Sequence, residues 1–214
     1  MLFNSFDISD WPRKKAYEFY KGFDDPFFNV TAQVDVTDLL DYCRKENLSF
    51  FMACMHVCIR AANNIVNFRL RFDGESLREY HLIHGGSTVL YDDESFGFAY
   101  YDYVEELEKF CENSEKIIND LKKTKSFDPS GNKEDLIYFS SLPWIEFTSI
   151  KHAYDSHINP GIPRISFGKY STSEGVVKMP INVEINHALA DGLHVGRFFK
   201  FIQSYIHESK NLLY

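Results

Sequence analysis

The chain has 214 residues, of which 44% are hydrophobic and 16% aromatic, and its formal net charge is -8 at pH 7. This length and apolar content are sufficient for a packed core, and we expect one domain over residues 1–214. The negative charge argues against nucleic acid or an anionic membrane as a partner, because both attract basic surfaces.

The first half of the sequence predicts helices interrupted by short strands. WPRKKAYEFYKG predicts a charged, aromatic helix, and NVTAQVDVT alternates polar and apolar residues as a half-buried strand does. VTDLLDYCRKENLS predicts an amphipathic helix with Thr37 as its N-cap. FRLRFDGESLREY predicts a hairpin that turns at Asp73 and Gly74.

The segment SFFMACMHVCIRAANNI contains Cys54, His56 and Cys58, which suggest a metal site. Its apolar residues recur at helical spacing, which favours a core helix, and we expect no bound metal. The cysteines form neither CxxC pairs nor a dense framework. The chain also lacks a signal-like N-terminus and an apolar run of the roughly 18 to 20 residues that a membrane span needs. We therefore expect a cytoplasmic protein with reduced thiols and no membrane partner.

The second half predicts one long helix, several strands and a last helix. VEELEKFCENSEKIINDLKKT has one apolar stripe, an acidic start and a basic end, and the turn cluster KSFDPSGNKED follows it. The strand-like segments LIYFSSLPWIEFTSI and RISFGKYSTSEGVVKMPINVEIN precede the helix GLHVGRFFKFIQSYIHESK. This order predicts an α/β (α+β) two-layer sandwich, with a mixed, mainly antiparallel sheet packed against helices. GxGxxG and GxxxxGK[ST] are absent, which argues against a Rossmann or P-loop nucleotide site.

His187 is the first candidate for chemistry. MPINVEIN alternates Ile181, Val183 and Ile185 on one face, and His187 follows on that face. A neutral imidazole has one donor and one acceptor nitrogen and titrates near neutrality, so it can remove a proton from a bound group. Asp191 follows a tight turn, where it can cap the next helix or pair with a cation. By spacing alone, a structural histidine is the more common outcome.

Four sequence blocks occur between about residue 6 and residue 206. They are FDISDWPRKKAYEFY, SSLPWIEFTSI, ISFGKY followed by VKMPINVEIN, and NHALADGLHVGRFF. In order and in approximate spacing they resemble the chloramphenicol acetyltransferase family, within the coenzyme A dependent acyltransferases that share HxxxDG. The resemblance covers almost the whole chain.

The resemblance implies a two-layer fold that assembles as a homotrimer, with active sites in the clefts between subunits. It also implies direct transfer of acetyl from acetyl-CoA, a co-substrate, to a hydroxyl of chloramphenicol, which inactivates the antibiotic. The expected partners are therefore acetyl-CoA and a small hydroxyl-bearing acceptor, with no acyl-enzyme intermediate.

The resemblance also implies roles for individual residues. His187 matches the general base, and Ser140 matches the serine that donates to the tetrahedral oxyanion. Loss of such a donor costs on the order of 100-fold in rate. Ser166 stands where the family has a threonine that binds the intermediate through water. Asp191 and Arg13 match an ion pair that holds the histidine loop.

Binding residues follow from the same resemblance. The aromatic candidates for contact with the acceptor are Tyr20, Phe28, Phe96 and Phe127. The candidates for the coenzyme A side are Trp144, Lys169 and Tyr170. Packing in the core is the alternative for Trp144, and a solvated charge is the alternative for Lys169.

The acceptor pocket is where this sequence departs from the family pattern. The differing positions are Asp24, Phe98, Tyr138, His152, Pro160 and Arg164, and Asn186 replaces the first histidine of a His-His pair. A buried Asp or Arg beside an uncharged acceptor is costly unless it is paired or turned to solvent. Two alternatives therefore stay open, namely the same reaction on a different hydroxyl-bearing molecule and a catalytically silent homologue that binds coenzyme A.

Overall fold

The computed structural model describes residues 2–129, 133–153 and 160–210. The first half contains β1 (Phe3–Phe6), α1 (Lys14–Tyr20), β2 (Phe27–Asp35), α2 (Thr37–Glu46), α3 (Phe50–Asn63), α4 (Val66–Arg69), β3 (Leu70–Asp73), β4 (Ser76–Tyr80), β5 (His84–Leu90) and β6 (Phe96–Tyr101). The second half contains α5 (Leu107–Thr124), β7 (Leu136–Leu142), β8 (Arg164–Gly168), β9 (Ser171–Ser173), β10 (Val176–Asn186) and α6 (Gly192–Lys210). In the ranges described, none of the helices is long and apolar enough to cross a membrane.

The main sheet has seven strands. Six of them are hydrogen-bonded in the order β2-β10-β8-β7-β5-β6, and β9 pairs with the first part of β10. The β5–β7 and β7–β8 pairs are parallel, whereas the other pairs are antiparallel. A separate sheet of three strands has the order β1-β4-β3. The mixed, mainly antiparallel sheet predicted from the sequence is confirmed.

The main sheet has an apolar face that packs against helices. Ile181, Val183 and Ile185 of β10 are fully buried in the principal core, together with Ile59 of α3 and Phe198 of α6. Successive side chains of a strand point to opposite faces, so residues of odd number on β10 lie on this side. Helices α2, α3, α5 and α6 all contact strands of the sheet or one another. The predicted arrangement of one sheet layer and one helix layer is confirmed.

The opposite face of the sheet carries a row of polar residues. Asn182 of β10 pairs with Ser166 of β8, which pairs with Ser140 of β7. The next row along the strands joins Glu184 to Arg164. Paired residues on neighbouring strands point to the same face. The register therefore brings polar residues from three strands onto one surface.

Helix α3 is a core helix, as its apolar spacing predicts. Cys54 and Cys58 are buried and their thiols are free. The His56 Nε2–H donates to the carbonyl oxygens of Val104 and Glu105, at 3.0 and 3.1 Å. Over the described ranges, no three His, Cys, Asp or Glu side chains form a group that could hold a metal ion.

Two turn predictions have different outcomes. The hairpin at Asp73 and Gly74 is confirmed, with Gly74 at a φ of 60° that a glycine adopts without strain. Thr37 is not the N-cap of α2. It is the first helical residue, and its backbone N–H and its hydroxyl both donate to Oδ1 of Asp35. The side chain of Asp35 therefore binds the start of the helix. Residues 130–132 of the predicted turn cluster lie outside the described ranges.

We predict that His56 makes the fold sensitive to acid. Burial lowers the pKa of His56 below its usual value of 6.5, so the unfolded chain binds a proton at this position more readily. The free energy of unfolding should therefore fall as pH falls below about 6.5, by at most about 1.4 kcal/mol per pH unit for one proton. Denaturant unfolding of the wild type and of His56→Gln at neutral and mildly acidic pH measures this slope. The slope should be smaller in His56→Gln and unchanged in His81→Gln, an exposed control; equal slopes in all three would contradict the prediction.

Candidate active site

His187 lies directly after β10, in the turn that leads to α6. Its backbone N–H donates to the carbonyl oxygen of Pro26 at 2.8 Å, which ties the turn to the start of β2. The side-chain oxygen of Asn186 accepts from the N–H of Ala188 at 2.9 Å. These two bonds fix the backbone on both sides of the histidine, which is itself half-buried.

Two aromatic rings enclose the imidazole of His187. The Tyr20 ring is stacked on it, with centroids 4.2 Å apart and planes at 6°, and the Phe28 ring lies 4.6 Å away. Nδ1 of His187 is 3.1 Å from the carbonyl oxygen of Ala190. A carbonyl oxygen can only accept, so Nδ1 carries a proton, and in the neutral imidazole Nε2 then keeps its lone pair. This tautomer has the form that a general base requires.

An ion pair holds the turn around His187. The Arg13 guanidinium pairs with Asp191 and donates from Nη2 to the carbonyl oxygen of His187 at 2.8 Å. Oδ1 of Asp191 accepts from the N–H of Leu193 at 3.0 Å and lies 2.7 Å from Nδ1 of His194. Burial tends to raise the pKa of Asp191, but Arg13 and His194 together hold it below its usual value. Asp191 thus both caps α6 and pairs with a cation, the two possibilities that the sequence left open.

Ser140 lines a cavity of about 340 Å³ on the polar face of the sheet, which we term the first cavity. Its other walls include Thr88, Phe98, Tyr138, His152 and Arg164. Four of the positions at which the sequence departs from the family pattern, Phe98, Tyr138, His152 and Arg164, therefore line this cavity with Ser140. Of the other three, Asp24 is exposed, the carbonyl oxygen of Pro160 accepts from the N–H of Phe72, and Asn186 accepts from the N–H of Ala188 in the turn.

A polar network forms one wall of the first cavity. Nε2 of His152 is 2.6 Å from Oγ of Ser166, which is fully buried. Arg164 donates to Oε1 of Glu184 at 2.9 Å, and the backbone N–H of His152 donates to Oε2 at 3.3 Å. Sequence reasoning missed Glu184. The signal was present, since an acidic residue occurs in the middle of an apolar strand.

Ser140 and His187 do not share the first cavity within one chain. Ser140 lies two strands away from Asn182 of β10, and His187 follows Asn182 by five residues. With strands about 4.8 Å apart and a rise of about 3.3 Å per residue, their Cα atoms are separated by roughly 19 Å. His187 therefore belongs to a different part of the surface from the cavity that Ser140 lines.

The four aromatic candidates divide into two groups in the same way. Tyr20 and Phe28 pack against His187. Phe96 and Phe127 are exposed and pack on each other and on Phe98, which lines the first cavity. The first group therefore lies at His187, and the second lies beside the cavity that contains Ser140.

A second cavity, of about 420 Å³, contains Lys169 and Tyr170 together with Phe51, Ser141 and Pro143. Phe51, Ser141 and Pro143 also line a neighbouring depression that contains Trp144. Trp144 is 70% exposed, so it is not a core residue. The three candidates for the coenzyme A side thus lie on adjoining surfaces.

We predict that the Arg13–Asp191 pair stabilises the turn at His187. Because Arg13 is mostly buried and makes two charged hydrogen bonds, Arg13→Ala should lower the free energy of unfolding by about 1–2 kcal/mol. Lys21→Ala is the matched control, since Lys21 pairs with the exposed carboxylate of Glu75 and exposed pairs contribute little. Denaturant unfolding compares the two variants, and an equal effect of both would show that the pair at Arg13 has no special role.

The sequence was compared with families and with curated proteins. The family model described as chloramphenicol acetyltransferase matches residues 1–203. The chloramphenicol acetyltransferase of Escherichia coli is 28% identical over 207 residues, covering 96% of this chain and 94% of the relative. That of Clostridium perfringens is 29% identical over 206 residues, covering 95% and 94%.

Solved structures give the same result. A structure of chloramphenicol acetyltransferase superposes with a TM-score of 0.87 at 27% identity, covering 95% of this chain and 99% of the other. The dihydrolipoamide acetyltransferase of Azotobacter vinelandii has a TM-score of 0.69 at 15% identity, covering 88% and 84%, which shows a common fold alone. Because the family model matches nearly the whole chain, this chain belongs to the chloramphenicol acetyltransferase family of acyltransferases.

Proposed function

We propose that this chain transfers acetyl from acetyl-CoA to a hydroxyl of chloramphenicol in one direct step, with His187 as general base, and thereby inactivates the antibiotic. Membership of the family supports the reaction. The observation that carries the proposal is the bond from Nδ1 of His187 to the Ala190 carbonyl, because in the neutral imidazole it makes Nε2 the nitrogen that can accept a proton. The proposal treats residues 1–214 as one acyltransferase domain.

The proposed reaction begins at the acceptor hydroxyl. Nε2 of His187 takes its proton while the hydroxyl oxygen attacks the thioester carbonyl carbon, which gives a tetrahedral intermediate. When this intermediate collapses, the C–S bond breaks, the thiolate of coenzyme A leaves, and the imidazolium returns the proton to sulfur. The stacked ring of Tyr20 supports this role, since it keeps the imidazole in one orientation.

Serine hydroxyls complete the proposed site. Ser140 donates a hydrogen bond to the oxyanion of the intermediate, and Ser166 assists through a water molecule. Their direct pairing across β7 and β8, on one face of the sheet, supports a joint role. Arg13 and Asp191 act as positioning residues, since their bonds go to the turn around His187 and not to its ring.

The active site of the proposal lies between subunits of a homotrimer. The separation of roughly 19 Å between Ser140 and His187 within one chain supports this arrangement, because one bound acceptor cannot reach both. A second copy supplies the missing partner. Tyr20 and Phe28 then contact the acceptor from the subunit of the base, and Phe96 and Phe127 from the subunit of the serine.

Coenzyme A is proposed to approach from the other side of β7. Ser140 and Ser141 are consecutive on this strand and line the first and second cavities, respectively. Successive residues point to opposite faces, so the two substrates can reach the reaction centre from opposite directions. Trp144, Lys169 and Tyr170 contact acetyl-CoA in this proposal. The buried free thiols support a cytoplasmic location, where cysteines stay reduced.

A silent homologue that only binds coenzyme A is the weaker alternative. A protein without turnover has no need for the fixed tautomer of His187, the brace of Arg13 and Asp191, and a serine in a cavity. These features together favour an active enzyme.

We predict that purified protein releases free thiol from acetyl-CoA when chloramphenicol is added. His187→Ala should abolish this release, and Ser140→Ala should lower kcat by on the order of 100-fold with little change in the KM for acetyl-CoA. A thiol-reactive dye measures both variants. Ser173→Ala is the control, because Ser173 is an exposed serine of β9 that lines neither cavity, and it should retain most of the activity. Wild-type turnover by His187→Ala would rule out the proposed base.

We predict that the two inactive variants complement each other. If each site takes His187 from one subunit and Ser140 from the next, every mixed trimer of His187→Ala and Ser140→Ala chains has one intact site. Purified mixed trimers, with one intact site of three, should therefore have about one third of wild-type activity. Co-expression with two different affinity tags, followed by tandem purification and assay, measures this. A monomer in light scattering, or no recovery of activity, would contradict the shared site.

A further inference from the structure

We propose that His152 is a specificity-determining residue, which with Arg164 makes the first cavity select a neutral acceptor that has hydrogen-bonding groups beside its reacting hydroxyl. The preferred class is a small polyhydroxylated molecule with a flat ring, such as an aryl glycoside. This inference rests on the proposed function, because it takes the first cavity as the acceptor side of the reaction.

The position of His152 is the first reason. It lines the same cavity as Ser140, so a group bound against its imidazole lies close to the proposed oxyanion donor. Tyr138 pairs with Arg164 across β7 and β8, one row from Ser140, and Phe98 faces the same space. The cavity therefore combines aromatic surfaces with polar groups, which suits a ring that carries hydroxyls.

The fixed geometry of this wall is the second reason. Glu184 has no exposed surface, and its two carboxylate oxygens accept from Arg164 and from the backbone N–H of His152. Glu184 and Arg164 are also directly opposite each other on β10 and β8. One buried carboxylate thus holds both polar residues, and the paired charges balance each other, which favours a neutral acceptor.

The row that contains Ser166 adds a third observation. Nε2 of His152 is 2.6 Å from Oγ of Ser166, so the imidazole is held at one edge while Nδ1 lies at the other. Asn182, directly opposite Ser166, donates to Thr31, but its buried Oδ1 has no hydrogen-bond partner in the described part of the chain. A hydrogen-bond acceptor, Oδ1 of Asn182, therefore remains without a partner on this face among the described residues.

The energetic consequence is a preference between acceptors. A polar group that loses contact with water and gains no hydrogen bond costs about 1–3 kcal/mol in proteins. An apolar substituent placed against His152 imposes that cost, whereas a hydroxyl avoids it. Sites built around such hydrogen bonds reject ligands that lack them far more strongly than apolar pockets reject an extra hydroxyl.

The test compares two acceptors that share a nitrophenyl ring, chloramphenicol and p-nitrophenyl β-D-glucopyranoside. His152→Leu should lower kcat/KM for the glucoside at least about 10-fold more than kcat/KM for chloramphenicol, which has fewer hydroxyls. The KM for acetyl-CoA should not change. His152→Gln keeps a hydrogen-bonding side chain and should recover part of the loss, and His81→Leu is an exposed control that should behave as wild type.

Each outcome separates the two proposals. Coenzyme A release with chloramphenicol, together with no turnover of the glucoside or with an equal loss for both acceptors in His152→Leu, overturns the inference alone. If coenzyme A is released with neither chloramphenicol nor the glucoside, the proposed function is overturned. In that case, calorimetric titration of the glucoside still tests the inference, since His152→Leu should weaken its binding at least about 10-fold and an unchanged Kd would refute it.

Discussion

The alternation of side chains along β10 is the constraint on which the rest of the structure depends. A strand directs successive residues to opposite faces, and β10 is apolar at Ile181, Val183 and Ile185 but polar at Asn182 and Glu184. The apolar residues are covered by helices and supply much of the core. The polar residues pair with neighbouring strands and define the other face. A shift of one residue in register would exchange the two sets, so the same pattern fixes the core and the cavity wall.

The turn after β10 extends beyond the β2–β10 ladder and has a further restraint. Arg13 provides it from 178 residues away in sequence, through Asp191 and the carbonyl oxygen of His187. The short helix α1, which follows Arg13, also carries Tyr20 to the imidazole. The N-terminal segment therefore contributes to both the position and the orientation of the histidine, although none of its residues lies on the main sheet.

Charge on the polar face is tolerated because it is paired. Glu184 is an isolated acidic residue within the strand, and burying it alone would be costly. Arg164 lies directly opposite and the N–H of His152 binds the second oxygen, so both acceptor atoms are satisfied. The same pairing explains how an arginine can line a cavity beside Ser140 in a family whose members act on an uncharged acceptor. The charges of Arg164 and Glu184 are paired with each other, and other hydrogen-bonding groups of the cavity wall remain for a ligand.

The sequence by itself determined most of the longer helices and strands, the hairpin at Asp73 and Gly74, the class of fold and the family, because periodicity, turn residues and ordered motifs are local signals. It also identified His187 and Ser140 as candidates. Only the tertiary structure decided that Glu184 anchors His152, that Tyr20 stacks on His187, and that His187 and Ser140 lie far apart in one chain. Those relations depend on strand register and on contacts between distant segments, which no local pattern encodes.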